Sequence, residues 1–547
     1  MNRSPNMPSS QPRRAAYAAP VWIALACVTG LYAAIWALSQ HKLIYTDEIV
    51  FALDFGRISA GDWNALEIPH PPLYVALGSL ATRVWGYTLP AMRVVGGAGY
   101  LLTLWLIPLV CSRLADNADQ AKRASLIAIL AWGIHPLALQ GSLLLDIDNT
   151  LFPPALLLLT LSVSRAESGP PARRIILIAG SLALMMWVKL LPSSLLIAGA
   201  ILLTYALRQQ GFASTAASIA LGALIFAVSF GIFAAITHFP VEVVWSTFAR
   251  VQTVAGGFER ALRRLIMGGG ITAMWAGIPL LILFAGVVYQ RALRIARGRA
   301  PDMGDSLILY TVSGFVIFTL GNELPMGFPR YHYPLVLCVV ILVSLTLADI
   351  NWDQKRIKLA VAASGLGCAT YFALVAPDPL LPQYALTFET SALSDRLAFG
   401  LRAQLTTLLL PFGLATAICR AMVGNFRSAL RPAAISFCAG IWVVTSLSHV
   451  QAPYATIYEY GRVGGREMGD LVQQKTQPDD TIIAPKEILW AAERQGDFVV
   501  LLLACPQCTA ESMLDHFQTV KPAAYVLTTK EDGRYTHITR DSRFSSL

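Results

Sequence analysis

The chain has 547 residues, of which 55% are hydrophobic and only 14% are charged. Charged residues make up about 25% of an ordinary soluble domain, so this composition excludes a soluble globular protein and predicts a polytopic membrane protein. The net charge of +9 raises the question of a nucleic-acid partner. The distribution of the basic residues, described below, excludes it.

We predict thirteen membrane spans, because a helix needs about 17 to 25 apolar residues to cross the hydrocarbon core of a bilayer. The pair at 174–207 is divided only by the corner "KLLPSS". The spans lie near 20–38, 91–111, 124–141, 149–163, 174–190, 191–207, 213–237, 270–290, 305–321, 331–349, 358–376, 400–419 and 432–450.

Basic residues concentrate on one side of these spans. With a cytoplasmic N-terminus, the predicted cytoplasmic segments hold 20 of the 42 Lys and Arg residues, whereas the longer outer loops hold 10. Such a bias orients helices during membrane insertion. The basic excess therefore indicates topology, in which residues 1–19 are cytoplasmic, 20–450 form the membrane domain and 451–547 lie outside.

The outer tail, 451–547, has the composition of a small α/β domain. "GREMGDLVQQKTQPDDTIIAP" predicts helix, turn and strand, and residues 497–529 predict strand, helix and strand, with parallel pairing. Cys505 and Cys508 lie between a strand and a helix. In an oxidising outer compartment this pair favours a local disulfide or free thiols, with redox activity and metal binding as alternatives.

The first outer loop, 39–90, contains an acidic pair, Asp47 and Glu48, and then His70. "EIVFALDFGRI" predicts a short helix lying in the membrane interface, and a second interfacial helix is predicted to start at Pro71 and Pro72. Together the two helices would cover a cavity at the membrane surface.

Further ionisable residues fall on the same outer side. Asp146 and Asp148 lie in "LLLDIDNTLFPP", which also fits the DxDxT motif of haloacid-dehalogenase phosphatases. That fold needs a soluble sheet around the motif, whereas membrane-length runs flank this one, so the match carries no function. Lys189 ends the fifth span, and Arg330 and His332 begin the tenth. Ionisable residues at membrane depth indicate a functional site.

The acidic pair, "GDW" at 61–63, "PHPPLY" at 69–74 and "MRVVGG" at 92–97 together resemble the GT-C membrane glycosyltransferases. The similar branch includes protein O-mannosyltransferases, lipid A aminoarabinose transferases and bacterial glycosyltransferases of lipopolysaccharide cores. The resemblance covers most of 20–450 and is strongest over 43–100. It implies a GT-C fold and transfer of a sugar from a polyprenyl-phosphate carrier to the hydroxyl of a lipid, glycan or protein outside the cytoplasm, with inversion.

The resemblance also implies residue roles. Asp47 occupies the position of the general base, with Glu48 as a supporting neighbour. Asp148 or Asp146 matches an acid that orients the acceptor or a metal ion. A divalent metal ion is the only cofactor that we consider, and the sequence assigns it no ligands. Acids also favour the first turn of a helix for structural reasons, which is the alternative for each of them.

Cations near the headgroup plane would meet the charge of the leaving lipid phosphate. The candidates are Lys189, Arg93 and Arg330, followed by Arg263 and Arg264 in the glycine-rich loop 239–268. For Lys189, Arg93 and Arg330, the alternative is that the side chain only reaches toward lipid headgroups.

The two outer histidines, His70 and His332, are candidates for substrate binding. The aminoarabinose transferases carry an acid and a Lys where this chain has Pro69 and His70. Only the position of His70 in the loop therefore supports a metal or phosphate role for it. For both histidines, the alternative is a hydrogen bond at the membrane interface.

The expected location is a bacterial inner membrane, with the site and the tail on the periplasmic side. Two other functions stay open. A transporter or lipid flippase would carry its charges near the middle of broken spans, whereas these spans are nearly free of acids. A catalytically inactive scaffold of the same fold is the other alternative.

Overall fold

A computed structural model describes residues 18–40, 47–63, 70–166, 170–190, 212–242, 278–321, 330–349, 465–484, 486–493 and 524–525, together with residues 199, 244, 276 and 365. These residues divide into two compact units. The first contains 18–40 and the described residues from 54 to 365. The second contains 47–53 and the described residues from 465 onward.

The part of the chain that the structure describes up to residue 349 is helical. Its α-helices in chain order are α1 (Ala19–Leu38), α2 (Asp47–Ser59), α3 (Leu73–Trp85), α4 (Leu89–Leu114), α5 (Ala118–Gly133), α6 (Pro136–Leu143), α7 (Ile147–Thr150), α8 (Phe152–Ala166), α9 (Pro171–Val188), α10 (Phe212–Thr237), α11 (Ile278–Ala296), α12 (Met303–Gly321) and α13 (Tyr333–Ala348). A 3₁₀ turn, Arg330–His332, precedes α13.

Four of the described helices are long and apolar enough to cross a membrane: α1, α4, α10 and the part of α12 from Met303 to Leu320. Helices α5 and α6 form a broken pair that bends by 56°. Residues 191–198, 200–211, 245–275 and most of 350–464 lie outside the described residues. The chain is a multi-pass helical membrane protein, and the count of thirteen spans stays a prediction.

The predicted third span, 124–141, is interrupted at Ile134 and His135. Proline disfavours the helical conformation at the residue before it, and Pro136 starts a new helix after this break. The ring of His135 closes the corner, since its Nδ1 accepts a hydrogen bond from Leu137 N at 3.2 Å. The proline was visible in the sequence, but its effect on the span was not predicted.

Two glycines bring the segment that carries the outer acids onto α4. A Cβ atom at Gly96 would collide with the carbonyl oxygen of Ser142, and one at Gly99 would collide with that of Thr150. The absence of both side chains lets the backbone of 142–150 lie directly against α4. This contact positions the turn that contains Asp146 and Asp148.

The first outer loop contains the two short helices that the sequence predicts, α2 and α3. Each has 13 residues, too few to cross a bilayer. The second half of α2 packs on α3, where Ser79 Oγ donates to the Phe55 carbonyl at 3.0 Å. Gly78 makes room for the Phe55 ring. Helix α3 begins at Leu73, and Pro72 is its N-cap rather than its first residue.

The described part of the tail contains α14 (Gly465–Lys475), β1 (Ile482–Ile483), α15 (Lys486–Ala491) and β2 (Ala524–Tyr525). The strands are parallel, with Ile482 opposite Ala524. A small apolar core joins the helices to β1 and contains Val472, Ile482, Ala484, Ile488, Leu489 and Ala492. The rest of the predicted α/β domain, including Cys505 and Cys508, lies outside the described residues.

Candidate active site

A buried ion pair joins two of the predicted site residues. Lys189 Nζ lies 2.6 Å from Asp148 Oδ1 and 2.5 Å from Asp148 Oδ2. The side chains are 3% and 5% exposed. Lys189 is the C-cap of α9, and Asp148 lies in the short α7. Removing one member of such a pair leaves a buried charge without compensation, so each residue stabilises the other's position.

Asp146 has a different role from Asp148. It is the N-cap of α7, and its Oδ1 accepts a hydrogen bond from Asp148 N at 3.2 Å. Thr150 Oγ1 donates to the Asp146 carbonyl at 2.6 Å. These local bonds shape the turn, and in them Asp146 acts as a helix cap. Asp148 instead pairs with Lys189, 41 residues further along the chain.

The 3₁₀ turn before α13 completes this cluster. Lys189 Nζ lies 4.4 Å above the centre of the Tyr331 ring, a cation–π contact. The next residue, His332, is buried and has its Nε2 3.0 Å from Thr319 Oγ1. Arg330 is the first residue of the turn, and its side chain is outside the described part of the structure.

The structure thus brings together three predicted segments, those of Asp148, Lys189 and His332. Tyr331 is a member that the sequence analysis missed. Its only sequence signal was its place between Arg330 and His332. An aromatic face beside a lysine is recognised only when the fold shows the two in contact.

Arg93 contacts backbone oxygens rather than a carboxylate in the bonds that the structure resolves. Its Nε donates to the Leu143 carbonyl at 3.0 Å, and its Nη1 donates to the carbonyls of Ser39 and Gln40 at 3.2 and 3.3 Å. The side chain is 2% exposed. Arg93 therefore ties α4 to the ends of α1 and α6, and these contacts account for its burial without a substrate.

The predicted general base, Asp47, is the first residue of α2, and its side chain is outside the described part of the structure. Glu48 is buried, with 6% of its surface exposed. His70 is partly exposed. Arg263 and Arg264 lie outside the described residues.

Within the described ranges, no group of three or more His, Cys, Asp or Glu side chains is arranged to hold a metal ion. The predicted divalent metal therefore has no described ligand set.

The chain has the GT-C fold, as the sequence predicts, because it shares the fold of solved GT-C structures. Two crystal structures of ArnT from Cupriavidus metallidurans, a lipid A aminoarabinose transferase, share this fold. The ArnT structure bound to undecaprenyl phosphate gives a TM-score of 0.55, and the apo structure gives 0.52. Each is 14% identical and covers 87% of this chain and 85% of ArnT. No family model and no curated protein matches the sequence.

Proposed function

We propose that this protein is a GT-C glycosyltransferase that moves a sugar from a polyprenyl-phosphate carrier to an acceptor hydroxyl outside the cytoplasm. The observation that carries the proposal is the shared fold over 87% of the chain with ArnT, which was crystallised with undecaprenyl phosphate. The buried ion pair of Asp148 and Lys189, with the Tyr331 ring beside it, supports the proposal, because ionisable residues buried in a membrane protein indicate a functional site.

The chemistry is a direct displacement at the anomeric carbon. The acceptor oxygen forms the new glycosidic bond as the bond to the phosphate oxygen breaks, and the carrier leaves as polyprenyl phosphate. The proton of the attacking hydroxyl passes to a carboxylate acting as general base. The family resemblance assigns that base to Asp47, which starts α2, and a single displacement inverts the anomeric configuration.

The leaving phosphate needs a cation held in place before the reaction. Asp148 fixes the ammonium of Lys189 through both carboxylate oxygens, and the Tyr331 ring covers it. Such a fixed point charge suits a phosphate oxygen. Arg330, one residue before Tyr331, is the second candidate. Arg93 is the weaker candidate because it already contacts three backbone carbonyls.

Three further assignments belong to the proposal. The acceptor is a lipid, a glycan or a protein hydroxyl. The protein lies in a bacterial inner membrane with its site on the periplasmic side, since the acceptors of a cell envelope and the lipid-linked sugar meet there. Asp146 shapes the turn that presents Asp148.

A transfer assay tests the proposal. Purified protein in lipid nanodiscs is mixed with synthetic undecaprenyl-phosphate-linked hexoses and pentoses and with envelope acceptors from a deletion strain, and products are detected by mass spectrometry. We expect one donor to be consumed by the wild type and the rate to fall at least about 100-fold in Asp47→Asn. The control Asp119→Asn changes an exposed acid in the first turn of α5 and should keep full activity.

One observation favours a transporter or flippase as the second candidate. Helices α5 and α6 form a bent pair with the geometry of a broken span or a re-entrant loop, and broken helices line the sites of many transporters. The ionisable residue at this break is His135, which contacts the backbone of Leu137 and of Ala276. If the protein moves an intact lipid-linked sugar between leaflets without forming a glycosidic bond, this second candidate replaces the first.

A further inference from the structure

Asn149 carries a buried amide that has no hydrogen-bond partner among the described residues. It follows Asp148 in α7 and is 1% exposed. Within the part of the chain that the structure describes, neither its Oδ1 nor its Nδ2 has a partner. Nearly all buried polar groups in proteins are paired, and each exception needs an explanation.

The fold of the turn does not supply that explanation. Asp146 caps α7, and Thr150 Oγ1 returns a hydrogen bond to the Asp146 carbonyl. Asp148 pairs with Lys189. Asp146, Thr150 and Asp148 therefore have hydrogen bonds within the turn or belong to the ion pair. The Asn149 amide takes part in neither. An alanine or leucine at this position would satisfy the turn equally well.

A second buried polar group without a partner among the described residues lies on α12. Tyr310, on α12, is 2% exposed, and its hydroxyl has no partner among the described residues. Two buried polar side chains on separate helices, one of them next to the ion-paired Asp148, thus have no partner among the described residues, as expected where a polar ligand group completes their hydrogen bonds.

The chemistry of these groups selects the kind of ligand. The Asn149 amide and the Tyr310 hydroxyl carry no charge, so they suit a neutral ligand group, whereas Lys189 is the candidate for the phosphate. An amide offers both donors and an acceptor, and a phenol offers one of each. A sugar hydroxyl, which also donates and accepts, is the neutral group that complements them.

We propose that Asn149 is a specificity-determining residue whose amide hydrogen-bonds a ring hydroxyl of the transferred sugar, with the Tyr310 hydroxyl as a second contact. This inference rests on the proposed glycosyltransferase function. A site that hydrogen-bonds a substrate hydroxyl rejects the analogue that lacks it, because its own polar groups then stay buried and unpaired.

The experiment compares wild type, Asn149→Leu and Tyr310→Phe in two measurements. The first is the melting temperature of the purified protein without substrate. The second is the transfer rate with undecaprenyl-phosphate-linked glucose, galactose, mannose and arabinose, and with the monodeoxy analogues of whichever sugar the wild type transfers. Thr103→Val is the matched control, since it removes a buried hydroxyl that bonds only locally, to the Gly99 carbonyl, in the structure.

We expect Asn149→Leu to melt at or above the wild-type temperature, because the change removes an unpaired buried amide at nearly constant volume. We expect the wild type to reject one deoxy analogue by at least about 100-fold and Asn149→Leu to reject it by less than about 5-fold. Tyr310→Phe should also weaken the rejection of that deoxy analogue, by a smaller factor than Asn149→Leu does. Thr103→Val should keep the wild-type ratio.

Two results would overturn the inference. A large fall in the melting temperature of Asn149→Leu would show that the amide already has a partner in the free protein. Unchanged discrimination in an active Asn149→Leu would show that the amide holds only a buried water. Failure of the wild type to transfer any sugar is a separate result. It would remove the proposed function and this inference with it, and it is visible in the wild type alone.

Discussion

Lys189 and Asp148, 41 residues apart in the chain, form a bidentate ion pair that is almost completely buried. Lys189 ends α9 and Asp148 lies in a four-residue helix that rests on α4. This relationship joins two segments that the sequence places on the outer side of the membrane.

The ion pair predicts strong coupling between its two members. Lys189→Met leaves Asp148 buried without its cation and should lower the free energy of unfolding by about 3–5 kcal/mol. The double variant Lys189→Met, Asp148→Leu should recover most of that loss, because no buried charge remains. Thermal unfolding in detergent measures both. Additive losses in the double variant would contradict the pairing.

The glycines of α4 give a second prediction. Gly96→Ala and Gly99→Ala should each reduce the yield of folded protein and the transfer rate, because a Cβ atom would collide with the carbonyls of Ser142 and Thr150. Gly180→Ala is the matched control, since no atom lies within 4 Å of a Cβ built there. Gel filtration and melting temperature report the fold. Equal behaviour of all three variants would show that 142–150 does not rest on α4.

Substitutions of Arg93 distinguish a structural role of this side chain from a role in binding the substrate. Arg93→Gln should lower the free energy of unfolding by about 2–4 kcal/mol. The carbonyls of Leu143 and Ser39 would lose the charged donor that Arg93 provides in the wild type. Arg93→Lys keeps the charge but loses the forked geometry, and should be destabilised nearly as much. In the active fraction the donor KM should stay unchanged. A KM that rises in Arg93→Gln and is restored in Arg93→Lys would instead assign Arg93 to the phosphate.

The turn between α11 and α12 gives a pH-dependent prediction outside the membrane spans. Burial alone would raise the pKa of Asp302, but Arg291 and Arg294 beside it outweigh burial and hold that pKa below its ordinary 3.8. Their Nη1 and Nη2 atoms contact its carboxylate at 2.6 and 2.5 Å. The stabilisation is therefore complete above the ordinary pKa and is lost as the pH falls through the lowered one.

Asp302→Asn should accordingly lower the stability at neutral pH by at most about 1 kcal/mol, since the pair is partly exposed and screened. The difference from the wild type should stay constant from pH 8 to about pH 5 and should vanish in stronger acid. Melting curves over this range provide the measurement. A difference that grows in acid would reverse the sign of the effect.

Much of the fold follows from patterns visible in the sequence. The apolar face of "EIVFALDFGRI" predicts the short α2, and the long apolar run at 213–237 predicts α10. The basic bias of the loops places Asp148, Lys189 and His332 on one side. The structure does bring the segments of these three residues together.

Pairings between distant segments could not be predicted. Nothing in the sequence around Lys189 specifies that Asp148 is its partner, because contacts across helices depend on the packing that Gly96 and Gly99 allow. The same holds for Arg93, whose backbone acceptors carry no side-chain signature. Asn149 was passed over because an unpaired amide is recognised only by the partners that it lacks in the fold.

The most direct test of the account is mass spectrometry of envelope glycolipids, glycans and glycoproteins from a deletion strain complemented with wild type or with Asp47→Asn at matched membrane abundance. We predict that the deletion removes one hexose, pentose or uronic acid from a single glycoform and that only the wild type restores it. Full restoration by Asp47→Asn would contradict the assigned base. An unchanged glycoprofile with an altered distribution of lipids would contradict the transferase itself.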